Sequence, residues 1–235
     1  MKTLLIITGM LLATVSLSRA QCNSNFYRFE EGAEFELTTY NDKDKAQSRT
    51  VNKIISIEEQ EGAFQAVVQL KMYDKKDKLI HEGEHEVTCD GNTIKVNMEQ
   101  FVPSEMMEAY QGMEVNFEGD YLEIPSDLEV GQTLPDGSVS MQVKTAEGGM
   151  NLSNININIV NRKVIAEESM NTPAGTFNCM KLSYDTESLV KALGIGKPRL
   201  YKSTEWLAEG IGLVRSEAYD EKGRLMSYTL LTAYK

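Results

Sequence analysis

His81 and His85 are the two histidines of this chain, and together with Cys89 they occupy alternate positions of one short run. If Leu79 to Cys89 is extended, Leu79, His81, Gly83, His85, Val87 and Cys89 share one face, and Glu82, Glu84, Glu86 and Thr88 share the other. Two imidazoles and a thiol on one face are zinc-ligand types. Spacing argues against a site: at about 3.3 Å per residue the histidines lie about 13 Å apart, whereas zinc holds its ligands at about 2.0–2.3 Å. They read as two half-buried histidines, and no metal site is assigned. Asp42, Asp44 and the Glu58-Glu59-Glu61 cluster supply carboxylates. They lack the ordered oxygen series, bend glycine and terminal glutamate of a calcium loop, so Asn41–Lys45 reads as a solvated turn.

Covalent chemistry finds no better footing. A serine nucleophile needs a base, and neither a GxSxG elbow nor an SxxK pair occurs. A glycosidase needs two facing acids, and 35 acidic residues offer no way to choose a pair. Gly194-Ile195-Gly196-Lys197-Pro198 has no GKS or GKT and reads as a flexible loop rather than a phosphate loop. Asn151-Leu152-Ser153 matches the glycosylation triplet, which arises often by chance. No catalytic residue and no cofactor is assigned. Cys22, Cys89 and Cys179 contain no CxxC pair; they allow one disulfide with one thiol left over, and three pairings stay open.

The elements that carry these residues have a period of two. Phe64, Ala66, Val68, Leu70 and Met72 alternate with Gln65, Gln69 and Lys71. Ile94, Val96 and Met98 alternate with Lys95 and Asn97, and Ile155, Ile157 and Ile159 with Asn154, Asn156 and Asn158. One dry and one wet face is the mark of antiparallel strands. Asp90-Gly91 signals a tight hairpin, and Asp136-Gly137 marks another turn. Three tips share a build: Tyr40–Lys45, Tyr73–Lys78 and Tyr219–Arg224. In each, an Asn or Asp is placed to bond the backbone two residues on, and an Asp or Gly tolerates a left-handed conformation. Helical signals are confined to Pro103–Gly112, with Ser104 as cap, and to Thr186–Leu193. A soft boundary falls near residues 118–135, without a Ser- or Pro-rich linker. Met98, Met106, Met107, Met113, Met141 and Met150 are placed to fill a core or line an adaptable apolar surface.

Residues 1–20 read as a secretory leader: Met1-Lys2, an apolar run from Leu4 to Leu17, then Ser18-Arg19-Ala20, with cleavage between Ala20 and Gln21. Cys22 lacks a lipoprotein context, since Arg19 and Gln21 stand where Leu and a small residue are required. The leader is too short to span a bilayer comfortably and no second run follows, so an integral membrane protein is not expected. Without Lys2 and Arg19, 22 basic residues face 35 acids, a net charge of −13. Such a surface repels phosphate backbones and anionic lipid headgroups, which argues against nucleic acid as a partner.

Several segments carry a family resemblance. Gly119-Asp120-Tyr121-Leu122-Glu123-Ile124-Pro125-Ser126 leads into Leu128-Glu129-Val130-Gly131 and Leu134-Pro135-Asp136. Asn161-Arg162-Lys163-Val164 leads into Thr172-Pro173-Ala174-Gly175-Thr176-Phe177-Asn178-Cys179. Glu205-Trp206-Leu207-Ala208 precedes Gly210-Ile211-Gly212-Leu213-Val214-Arg215-Ser216-Glu217, with Leu230, Thr232 and Tyr234 beyond. Together these resemble the TapB-like, DUF3108-like family of exported bacterial proteins, whose function is unknown. The resemblance implies an extracytoplasmic antiparallel β-roll or partly open barrel and no known catalytic residues.

The expectation is therefore an all-β protein, one domain over residues 21–235, with a curved antiparallel β-roll or partly open β-barrel and one or two short helices. It is exported to a periplasmic or extracellular location. It acts as a non-catalytic binding or carrier module for an apolar small molecule or partner segment. The alternative is a structural or assembly protein that contacts another envelope protein; an enzyme is the weakest of the three readings.

Overall fold

The alternation of Ile155, Ile157 and Ile159 with asparagines belongs to the longest strand of a single antiparallel sheet. The computed structural model describes residues 22, 26–60, 62–98, 112–145 and 149–235. The sheet opens with β1 (Glu34–Asn41), β2 (Ala46–Gln60), β3 (Ala63–Asp74), β4 (Leu79–Asp90) and β5 (Thr93–Asn97). After β6 (Glu114–Gly119), β7 (Tyr121–Pro125) and β8 (Gly137–Lys144) come the long β9 (Asn151–Thr172), β10 (Gly175–Ala192) and β11 (Ile195–Ala208). β12 (Gly212–Tyr219) and β13 (Leu225–Tyr234) complete it. The 13 strands are ordered β6-β8-β9-β10-β11-β12-β13-β1-β2-β3-β4-β5-β7.

This sheet curls until its edges nearly meet. β6 pairs with β8 and β7 pairs with β5, although Asp120 alone separates β6 from β7 in the chain. One extended segment thus crosses from one edge of the sheet to the other. Asp120 stitches the crossing: its N–H donates to Ser138 O at 2.9 Å and its carbonyl accepts from Met98 N at 3.1 Å. The result is a barrel with one unsealed seam.

The dry faces meet inside. One cluster holds Met98, Leu122, Val139, Met141, Val143, Ile155, Ile157 and Ile159. A second holds Ile54, Ala66, Val68, Val87, Cys89 and Ile94, and a third Phe26, Leu128, Leu134, Val164, Leu182 and Leu207. Val96 packs against the first two and Ile124 against the second and third, so the three are contiguous. A fourth cluster, Cys179, Trp206, Ala208, Val214 and Leu231, forms where β9 also meets β12 and β13.

The three matched tips are built alike. Asn41 Oδ1 accepts from Lys43 N and Lys45 N, both at 3.0 Å. Asp74 Oδ1 accepts from Lys76 N and Lys78 N, and Asp220 Oδ1 from Lys222 N and Arg224 N. The left-handed positions are Asp44, Asp77 and Gly223, with φ of 56°, 62° and 74°. These backbone donors hold the Asp74 and Asp220 carboxyls below the ordinary aspartate range.

Three sequence expectations are corrected. Thr186–Leu193 is not a helix: Thr186 to Ala192 belong to β10, paired with β9 on one side and β11 on the other. Strand pairing on both flanks overrides a weak local helical signal. Gly194–Pro198 is not a loop; Leu193-Gly194 forms a two-residue turn and Ile195 starts β11. Asp136-Gly137 is not a tight turn but the entry to β8, where a Cβ on Gly137 would stand 3.0 Å from Leu122 Cδ1 and 3.1 Å from Met98 Sδ. The Pro103–Gly112 helix falls almost wholly outside the described residues, as does the Ala20-Gln21 cleavage point.

Of the three cysteine pairings left open, the structure joins Cys22 to Cys89, with Cα atoms 5.8 Å apart and a sequence separation of 67. The bridge ties the N-terminal segment to β4, and that segment is also held by Gly32 N–H on Ile54 O and Ile54 N–H on Ala33 O, both 2.9 Å. Replacing both cysteines by serine is expected to lower unfolding free energy by about 2–4 kcal/mol, measured by denaturant titration. The loss should match that of wild type under reducing conditions. Equal stability of oxidised wild type and the variant would contradict it.

Candidate binding site inside the roll

Register places the inner face residue by residue. Ile54, Val68 and His85 stand in line across β2, β3 and β4; next come Asn52, Leu70 and Gly83, then Thr50, Met72 and His81. The same face continues sideways. Ser48 pairs with Thr39, Thr39 with Thr229, Thr229 with Ser216 and Ser216 with Glu205. One step towards the tips, Asn41 pairs with Ser227, Ser227 with Ala218, Ala218 with Ser203 and Ser203 with Tyr184. Thr39 and Thr229 hydroxyls lie 2.9 Å apart. Ile54 and Val68 are buried, and the other residues of these rows are half-buried.

The other wall is apolar. Val139 pairs with Ile157 and Met141 with Ile155, and all four are buried. Crossing from β9 to β10, Ile159 pairs with Thr186 and Ile157 with Ser188; β11 then adds Tyr201 and Arg199. An aliphatic wall thus gives way to a belt of hydroxyls, with Arg199 and Lys197 near the open end. Ser153, 2% exposed, lies on this face beside Val143 and Ala192, and its hydroxyl has no hydrogen-bond partner among the described residues.

Ionisable groups gather where the walls meet. Tyr184 Oη donates to Glu205 Oε1 at 2.7 Å. Burial pushes the Glu205 carboxyl above the ordinary range, against the opposing effects of Tyr184 and Arg162. Burial, reinforced by Glu205, also holds Tyr184 neutral. Arg162 is 2% exposed and donates from Nη1 to Pro135 O at 2.6 Å and from Nη2 to Glu123 O at 2.9 Å. It clamps the 126–136 segment and β7 onto β9, and burial lowers its pKa. This group can donate and accept hydrogen bonds inside the roll.

The residues singled out in the sequence occupy plain positions. His81 and His85 line the inner face of β4, half-buried, and burial lowers the pKa of His85. Among the described residues, no three His, Cys, Asp or Glu side chains gather as metal ligands. Met98 and Met141 are fully buried core residues, whereas Met113 and Met150 are exposed; Met106 and Met107 lie outside the described residues. Trp206 is buried and keeps its polar end satisfied: Nε1 donates to Glu168 Oε1 at 2.6 Å, and Lys181 Nζ sits 4.8 Å over the ring. A cleft of about 720 Å³ at the opposite end of the roll is lined by Phe26, Asp127, Glu129, Glu167, Cys179 and Glu209, among others. Cys179 is a free thiol, 1% exposed, and burial pushes it up to about 11.

An all-antiparallel roll, nearly closed, with a split apolar and hydroxylated interior, defines the class. The chain belongs to the DUF3108-like family, whose model matches residues 30–231. Its structure is similar to that of a presumed exported protein with a YmcC-like fold from Bacteroides fragilis (TM-score 0.69, 23% identity, 90% of this chain and 99% of that one). It is likewise similar to a presumed lipoprotein from Parabacteroides distasonis (TM-score 0.71, 20% identity, 90% and 99% covered). At such identities the likeness shows the fold. No curated protein matches the chain.

Two outcomes are expected of these groups. A carboxyl raised by folding costs stability above its unfolded pKa, because the folded state holds the proton more tightly. Glu205→Gln should therefore raise the melting temperature at neutral pH, with the gain shrinking once pH falls below the raised folded-state value and gone below about 4.3, the ordinary glutamate value. A lower melting temperature for the variant at neutral pH would refute this. Cys179 should resist alkylation by iodoacetamide in the native protein and react once it is unfolded, as read by intact mass; native labelling would contradict its burial.

Proposed function

We propose that this is a non-catalytic binding or carrier protein, exported to the cell envelope, that holds an amphipathic small molecule inside the roll. The carrying observation is the split interior. Isoleucine, valine and methionine of β8 and β9 stand beside a belt of hydroxyls on β10 to β2. An apolar chain suits the first wall, and a polar or anionic end suits the hydroxyls, Tyr184 and the cations Lys197 and Arg199. The unpartnered Ser153 hydroxyl supports the same reading, since a buried polar group without a partner is costly. The likeness to a presumed exported protein and a presumed lipoprotein, together with the Cys22–Cys89 bridge, supports an oxidising location.

The test is titration of delipidated protein with a fluorescent fatty-acid probe. Saturable binding at one site per chain is expected. Ile157→Asp should abolish it, and Tyr184→Phe should weaken it by about 1 kcal/mol, roughly fivefold. Absence of saturable binding by folded protein would overturn the reading. A stoichiometric protein partner recovered from envelope extracts would then favour an assembly role.

A further inference from the structure

The four hairpins β1–β2, β3–β4, β10–β11 and β12–β13 turn at one end of the roll, and one of their tips is unlike the others. Three are solvated turns with Asp44, Asp77 or Gly223 in the left-handed position. The β10–β11 tip puts Leu193 there, at φ 49°, followed by Gly194 at φ 81°. A turn of this type is filled most readily by Asn-Gly or Asp-Gly, and a leucine at positive φ is strained. The strain holds an aliphatic side chain at the apex. Leu193 is 67% exposed and Ile195 83%; Met150, just before β9, is 64% exposed, and Leu193 N–H donates to Leu152 O.

This tip also stands proud of its neighbour. The last pair between β11 and β12 is Lys202 with Tyr219, so Ile195 to Tyr201, roughly 20 Å of strand, rise beyond it. Pro198 lies in that stretch and Lys197 and Arg199 flank it, which discourages pairing of the free edge with another strand. The charge is local and opposite to that of the whole. Residues 188–202 carry Lys191, Lys197, Arg199 and Lys202 and no acid, in a chain of net charge −11.

We propose that the β10–β11 tip docks on an anionic lipid surface, with Leu193, Ile195 and Met150 entering the headgroup–acyl boundary and Lys191, Lys197 and Arg199 contacting headgroups. The acidic body is repelled by the same surface, which fixes the orientation tip first. The proposal stands whether or not the interior holds a ligand.

The experiment is co-sedimentation of the full chain with vesicles of equal parts phosphatidylglycerol and phosphatidylcholine, and with phosphatidylcholine alone. Binding to the anionic vesicles that weakens in high salt is expected, with little binding to phosphatidylcholine. Leu193→Asn with Ile195→Thr should lower partitioning at least about tenfold while the asparagine suits the turn. Lys191→Gln, Lys197→Gln and Arg199→Gln should each cost roughly fivefold. No binding to the anionic vesicles overturns the proposal, as does undiminished binding by variants whose β-sheet circular dichroism is intact. Self-association of the wild type that the tip variant abolishes, without vesicle binding, assigns the tip to a second copy instead.

Discussion

A sheet with one continuous dry face must hide that face, and thirteen strands leave closure as the solution. Twist alone makes a sheet coil; bulges decide where it bends. Register shifts fall at Ile54/Ser56, Glu36/Leu37, Trp206/Leu207 and within Lys181–Asp185, on strands all round the roll. The closing step belongs to the Glu114–Pro125 segment, which serves both edges. Asp120 is its pivot: backbone bonds to Met98 and Ser138 hold it from both sides, and its carboxylate accepts a further bond from the Ser138 hydroxyl at 2.7 Å.

The bulge near Asn161 has the greatest effect on the interior. Above it, odd-numbered residues of β9 are buried: Ile155, Ile157 and Ile159. At Asn161, with φ 57°, the parity flips, and Arg162 and Val164 are buried instead. A guanidinium thereby enters the roll and captures the carbonyls of Glu123 and Pro135. Its charge lies close enough to Glu205 to favour the carboxylate, yet desolvation still prevails. The place of Arg162 in the interior polar group is thus the product of one extra residue in one strand.

This explains what could be read in the chain and what could not. Period-two runs such as Phe64–Met72 and Asn154–Ile159 identify strands because each is regular over its length. The Asn41, Asp74 and Asp220 tips are legible to the atom, because an Asx turn is a local interaction. The β10–β11 hairpin is not legible, because its strand character comes from two long-range partners and its turn holds a leucine where the rules expect asparagine or glycine. Tyr184, Glu205 and Arg162 are hidden for a related reason: the bulges that turn them inward leave no local signature. His81 and His85 drew notice by residue type alone, and register sets them on the inner wall as separate side chains.

The two ends of the roll differ in how the inner face is finished. At one end the N-terminal Phe26 and the loop residues Leu128 and Leu134 pack against Leu182, Leu207 and Val164, and Arg162 locks that loop in place. At the other end the inner face is made of half-buried serines and threonines that no apolar side chain could replace without exposing itself to water. Burial is scarce there by composition. The hydroxyls of Thr39, Ser203, Ser216 and Thr229 leave a wet end above a dry floor. The proposal of an amphipathic guest rests on that gradient of polarity along the axis.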